Sequence, residues 1–139
     1  MYASANETMV PARFMLMVTH LIATLTVLYD SSAVAHKSGA DDFAGARSEV
    51  EGLAYAAVIC LGLQFVGVLS GTSFFFPALN ALQVLAHFLG TCLVGLFVSQ
   101  GWPIGTYSWC FIIFALVPAI AESFVALAVF RFRVLDYAG

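Results

Sequence analysis

The segment GLAYAAVICLGLQFVGVLSG, residues 52–71, decides the fold class of this chain. It contains no charged residue, and Gln64 is its one strongly polar side chain. A helix of about 20 apolar residues crosses the hydrocarbon core of a bilayer. Because lipid offers no hydrogen bonds to the backbone, such a segment must be helical inside the membrane. Residues 52–71 are therefore predicted to form a transmembrane helix.

Three further segments are long and apolar enough to do the same: residues 12–29, 79–99 and 107–130. Of the 139 residues, 62% are hydrophobic and only 9% are charged, with a mean hydropathy of +0.97. Soluble domains are about a quarter charged, so the solvent of this chain is lipid. We predict an all-α protein, a four-helix transmembrane bundle that makes one four-span membrane domain of residues 1–139.

The connections between the spans differ in charge. Residues 30–51 carry most of the charged side chains and are predicted as a polar loop, whereas the other two connections are short and uncharged. Short connections predict antiparallel neighbouring helices. An even number of spans places both termini on one side of the membrane. That side is predicted to be cytoplasmic, since basic residues favour it, and the bias is three against two: Arg13, Arg131 and Arg133 against Lys37 and Arg47.

Four strongly polar side chains lie well inside the predicted spans, away from the ends: His20, Gln64, His87 and Glu122. At a rise of about 1.5 Å per residue, each lies roughly 11–13 Å from the end of its helix on the side of the termini. Such groups are costly in hydrocarbon and usually face the bundle interior. We predict a buried, structural layer of hydrogen bonds in which Glu122 accepts from a histidine and Gln64 completes the network.

Small residues and one proline indicate where the spans approach each other. Gly67 and Gly71 form a GxxxG pattern, and small residues recur every fourth position in the last span, a pattern that permits close helix contact. Pro118 cannot donate a hydrogen bond to the carbonyl of Phe114 and is predicted to kink that span. The predicted packing residues are Gly67, Gly71, Ala115, Pro118, Ala119 and Ser123.

Composition and motifs also narrow the function. The net charge of -3 with scattered basic residues does not indicate a nucleic-acid surface. Neither a nucleotide-binding motif nor an HExxH pair is present, so we predict no catalytic residues, no metal site, no cofactor and no enzymatic activity. Two alternatives remain open: a small proton-coupled four-span transporter that uses the embedded Glu122, and a membrane enzyme or metal site built from His20, His87 and Glu122.

Four stretches of the chain resemble the spans of the transmembrane protein 107 family. They are VPARFMLMVTHLIATLTVLY (10–29), LGLQFVGVLSG (61–71), AHFLG (86–90) and ALVPAIAESFVALAVF (115–130). Their order and spacing agree with the family along nearly the whole chain, whereas residues 30–51 have no clear counterpart.

The resemblance implies a tetraspan protein of the ciliary transition zone, in the Meckel syndrome module. There it would help to form the gate that controls which membrane proteins enter the cilium. The implied partners are the lipid bilayer, tectonic-type and other transition-zone membrane proteins, and B9-domain proteins. Both termini would be cytoplasmic. The family is not known as enzymatic, so the resemblance assigns no catalytic residues.

Overall fold

A computed structural model of the protein describes residues 2–132, and this part of the chain is helical with no β-strand. Its elements are α1 (Tyr2–Tyr29), α2 (Ser31–Lys37), α3 (Phe43–Leu69), a 3-10 turn (Thr72–Phe75), α4 (Pro77–Gln100), α5 (Ile104–Phe111), a π-helical turn (Ile112–Leu116) and α6 (Val117–Phe132). The last three elements are continuous and form the fourth span.

Four helices are long and apolar enough to cross a membrane, which confirms the predicted fold class. They are Glu7–Tyr29, Phe43–Leu69, Pro77–Gln100 and Ile104–Arg131. All four begin before their predicted starts, because a helix continues into the polar interface once its apolar part is formed. The first ends at Tyr29 as predicted, and the second ends at Leu69, two residues before its predicted end. Arg133 lies outside the described residues.

The segment 30–51 is not the polar loop that its charges predict. It contains α2 and the first turns of α3. The Asp42 side chain accepts a hydrogen bond from the Gly45 N–H at 3.0 Å and so caps the start of α3. The Ser31 hydroxyl donates to Glu51 Oε1 at 2.7 Å and fixes α2 against α3. The charged segment is therefore a folded cap on the loop side of the bundle.

The first and third spans run parallel and in register. Arg13 of α1 contacts Asn80 of α4, and His20 contacts His87, so both pairs are 67 residues apart in the chain. Buried positions in each helix alternate between three- and four-residue steps, which is the pattern of a coiled-coil seam. In α1 these positions are Arg13, Met17, His20, Thr24 and Val27; in α4 they are Asn80, Gln83, His87, Gly90, Val94 and Phe97.

This arrangement differs from simple packing of consecutive helices. Consecutive spans run antiparallel, but α1 packs mainly against α3 and α4, and the fourth span packs against the same two helices. The first and fourth spans therefore lie on opposite sides of the bundle, with α3 and α4 between them. The short 3-10 turn connects α3 to α4 but does not make these two helices each other's main neighbours. α4 packs along α1 instead, since the seam between α1 and α4 extends over the length of both helices.

The interior divides into two halves along the membrane normal. The half near α2 is an apolar cluster in which Tyr107 stacks on Phe97 at a centroid distance of 4.9 Å. The half near the termini contains the buried polar side chains of the spans. The apolar half provides most of the hydrophobic packing, whereas the polar half determines which helix faces which.

Candidate functional site: a polar core between the spans

A buried ion pair joins the first and last spans. The Arg13 Nη2 donates to Glu122 Oε2 at 2.8 Å, and the two side chains are only 1% and 2% exposed. Arg13 Nη1 donates to Asn80 Oδ1 at 2.8 Å, and Gln83 Nε2 donates to Glu122 Oε2 at 3.1 Å. We call these four residues the Arg13 cluster. It connects α1, α4 and α6 at one level of the bundle.

The Arg13 cluster changes two conclusions drawn from the sequence. Glu122 pairs with Arg13 and Gln83, and not with a histidine as predicted. Arg13 lies about three turns inside α1 and is buried, so it does not add to the positive charge at the membrane surface. The predicted bias of three basic residues against two therefore falls to two against two.

Glu122 can approach α3 because Gly67 has no side chain. A Cβ at Gly67 would collide with the Glu122 carboxylate group. One residue of the GxxxG pattern thus accommodates the polar core. Gly71 has another role: it lies beyond the end of α3 with a φ of 74°, in the left-handed region that glycine adopts without steric cost.

The two membrane-embedded histidines contact each other. Their Nδ1 atoms lie 3.2 Å apart, with the rings tilted by 63°. One Nδ1 donates and the other accepts, so the two rings have opposite hydrogen-bonding roles. Gly90 makes this pair possible, because a Cβ there would lie 2.7 Å from His20 Cε1 and 2.9 Å from Phe114 Cβ.

The histidine pair lacks further metal ligands. Across residues 2–132, no three His, Cys, Asp or Glu side chains form a group that could hold a metal ion. Zinc sites have three or four protein ligands, and here Glu122 is engaged by Arg13 instead. The residues at this level therefore do not fit the metal alternative.

Gln64 makes a separate contact between α3 and the fourth span. Its Nε2 donates to the Ala115 carbonyl at 3.3 Å and to the Cys60 carbonyl at 3.4 Å. Gln64 is not part of the Arg13 cluster. Ala115 belongs to the π-helical turn that precedes Pro118. The wide turn accommodates the proline ring, where the sequence predicts a kink. The polar side chains that were predicted to form one layer are thus divided among three separate groups of contacts: the Arg13 cluster, the histidine pair, and the hydrogen bonds of Gln64.

The small residues of the last span divide between the interior and the lipid face. Ala115 and Ala119 are buried against Ala57 and Cys60 of α3. Ser123 is exposed, and its hydroxyl donates to the Ala119 carbonyl at 2.8 Å within its own helix. Pro118 is buried, and its carbonyl lies 3.5 Å from Gln83 Nε2. Four of the six predicted packing residues, the two alanines with Gly67 and Pro118, therefore face the bundle.

Three residues of the polar core were not predicted from the sequence: Asn80, Gln83 and Gly90. Asn80 resembles a turn marker, Gln83 resembles a residue near the end of a span, and Gly90 resembles a common membrane glycine. The seven-residue spacing from Arg13 to His20, repeated from Asn80 to His87, is the signal that could have paired the two helices.

The fold and this core define a small polytopic membrane protein whose spans are held together by a buried ion pair and a histidine pair. A family model described as transmembrane protein, TMEM107, matches residues 9–126. The chain belongs to the transmembrane protein 107 family.

Proteins with that name are similar over nearly their whole length. The chain is 28% identical to transmembrane protein 107 of Xenopus laevis over 138 residues, covering 94% of this chain and 96% of the relative. Identity to the Danio rerio protein is 29% over 133 residues, with 90% and 96% covered. Identity to the Mus musculus protein is 27% over 130 residues, with 90% and 93% covered. No solved structure matches the chain.

Proposed function

We propose that this protein is a structural and assembly component of the ciliary transition zone, where it helps to form the gate that controls the composition of the ciliary membrane. The family resemblance supports this role. The observation that carries the structural part of the proposal is the Arg13–Glu122 pair, because it uses the embedded charges for packing between spans. The most strongly polar groups of the spans are engaged with each other and are not exposed to a substrate.

This pairing weighs against the transporter alternative. A carboxylate that exchanges protons or cations must be accessible and free to change partners. Glu122 is 2% exposed and is contacted by Arg13, Gln83 and the backbone region of Gly67. Removing its partner would leave a buried charge, at a cost of about 3–5 kcal/mol. We propose a non-enzymatic, non-transporting role.

Two surfaces remain for partner proteins. One is the lipid-facing side of the spans, where large apolar residues such as Ile59, Ile120 and Phe124 are exposed. The other is the cap of residues 30–51, whose charges face outward. We propose that the tectonic-type and other membrane partners contact these two surfaces, and that B9-domain proteins meet the opposite side of the membrane, which carries the termini.

The proposed orientation has both termini in the cytoplasm. With Arg13 buried, the basic residues number two on each side of the membrane, so this orientation rests on the resemblance. An epitope at residue 1 and an N-glycosylation acceptor inserted after Gly39 test it independently. Cytoplasmic termini predict that the epitope is stained only after permeabilisation of the plasma membrane and that the acceptor is glycosylated. The opposite pair of results would reverse the orientation.

Localisation of a tagged protein in ciliated cells tests the function. We expect a band between the basal body and the ciliary shaft, and proximity labelling of tectonic-type and B9-domain proteins. An unrelated four-span protein of similar size, expressed at the same level, controls for general labelling of membranes. A uniform distribution over plasma or internal membranes, with no enrichment over that control, would refute the ciliary role.

A further inference from the structure

The histidine pair lies in the seam between the first and third spans, and its hydrogen bond depends on how the two rings are protonated. His20 Nδ1 and His87 Nδ1 are 3.2 Å apart, and both residues are buried. A neutral imidazole carries a proton on one ring nitrogen, whereas a charged imidazole carries one on each. Two neutral rings therefore fit this contact, because one Nδ1 can donate while the other accepts.

The surroundings of His87 indicate which ring donates. His87 Nε2 is buried, and within residues 2–132 it has no hydrogen-bond partner. Arg13 lies on the same seam, seven residues before His20, and its positive charge acts on the His87 ring. A lone pair in the field of a cation is more favourable than an unpartnered N–H group there. His87 therefore carries its proton on Nδ1 and donates to His20, which carries its own proton on Nε2.

Added protons change the pair in two steps. A first proton on His87 Nε2 leaves the bond between the two Nδ1 atoms intact but places a buried charge on the same seam as Arg13. A second proton, on His20 Nδ1, gives both facing nitrogens an N–H group and removes the acceptor. Repulsion between two charged rings then replaces the contact that joins α1 to α4.

Few other groups around the pair can respond to acid. The charged side chains next to it are Arg13 of α1 and Glu122 of α6, which pair with each other. The other segments packed around the seam, residues 52–71 and 104–121, contain no Asp, Glu, Lys, Arg or His. Their cysteine and tyrosine side chains are neutral at about pH 7 and below. Acid can therefore act on this region through the two rings and through the Arg13–Glu122 pair.

We propose that the histidine pair is an acid-sensitive latch between the first and third spans, with His87 as the donor, and that it holds only while both rings are neutral. A free histidine side chain has a pKa of about 6.5. Below that pH the unfolded chain binds protons that the closed bundle excludes. The unfolding equilibrium constant then rises by up to about tenfold per pH unit for each excluded proton.

The resistance of the purified full-length protein to SDS, measured from about pH 7 to about pH 5, tests the latch. The unfolding constant of the native sequence should rise by up to about 100-fold per pH unit at the acidic end. His87→Asn keeps an amide N–H in the place of Nδ1 and leaves one ring, so its rise should be about tenfold smaller. His20→Leu/His87→Leu removes both rings and should remove their contribution to the pH dependence.

The third histidine supplies a matched control. His36 is exposed in α2, outside the spans, so His36→Asn should leave the pH dependence of the native sequence unchanged. If His87→Asn and the native sequence showed equal pH dependence, acid would act through the Arg13–Glu122 pair and the latch would be refuted. His87→Asn decides this even if the double leucine variant fails to fold.

Nitrogen NMR of the full-length protein with ¹⁵N-labelled histidine tests the assignment of the donor. Near neutral pH we expect a proton on Nδ1 of His87 and on Nε2 of His20, with both rings neutral. The spectrum of His36→Asn separates the signals of the pair from those of the exposed ring. A proton on His87 Nε2, or a charged ring in the pair near neutral pH, would overturn the proposal.

Discussion

Arg13 in the first span donates to Glu122 in the last span at 2.8 Å, although 109 residues separate them in the chain. The N-terminal helix therefore acquires its buried counter-charge only after the final helix has been made and inserted. A buried charge without a partner is strongly unfavourable. The pair thus makes the correct arrangement of all four spans a condition for burying either charge.

Glu122→Leu should destabilise the bundle by about 3–5 kcal/mol, because it leaves Arg13 buried without its carboxylate. The double variant Arg13→Leu/Glu122→Leu should be less destabilised than the sum of the single variants, with a coupling energy of about 1–3 kcal/mol. Unfolding in mixed micelles at increasing SDS fraction measures both. Additive effects would show that the two side chains do not act as a pair.

Gly67→Ala should cost about 1–3 kcal/mol, the usual effect of overpacking, because its methyl group would collide with the Glu122 carboxylate. Gly62→Ala is the matched control in α3, since no atom lies within 4 Å of a Cβ at that position. It should be neutral or stabilise by up to about 1 kcal/mol through helix propensity. Equal effects of the two substitutions on SDS resistance would contradict the close contact at Gly67.

Gly90→Ala should separate the histidine pair, because its Cβ would lie 2.7 Å from His20 Cε1. We expect a loss of about 1–3 kcal/mol and changed imidazole NMR signals from both His20 and His87. Gly95→Ala, on the same helix with open space at its Cβ, is the control. If Gly90→Ala left both imidazole spectra unchanged, the two rings would not be in contact there.

Gly101→Ala should destabilise the end of α4 more than Gly39→Ala destabilises its turn. Both glycines have a positive φ, 67° and 68°, so each substitution carries a conformational cost of about 1–2 kcal/mol. Only at Gly101 would the new Cβ also approach a backbone atom, the Lys37 carbonyl oxygen at 2.8 Å. Thermal unfolding in detergent compares the two variants. A larger loss at Gly39 would refute the contact between α2 and the end of α4.

The number of spans and their apolar character could be predicted from residues 52–71 and three similar segments, because the requirement for about 20 apolar residues is local. The burial of His20, Gln64, His87 and Glu122 follows from the same argument, since polar groups avoid hydrocarbon. The helical structure of residues 30–51 was not predicted, because charge alone does not distinguish a polar loop from short helices that cap a bundle.

The choice of partners was decided by tertiary structure alone. In the sequence, Arg13 resembles a charge at the membrane boundary, and its role depends on where α1 begins and on which side of α1 meets α4. Glu122 fits against α3 because Gly67 has no side chain, and the pair of His20 and His87 fits because Gly90 has none. Hydrophobicity places four helices in the bilayer with no preference among their neighbours. The directional hydrogen bonds of the Arg13 cluster and the histidine pair exist in only one arrangement of the four spans, and so select it.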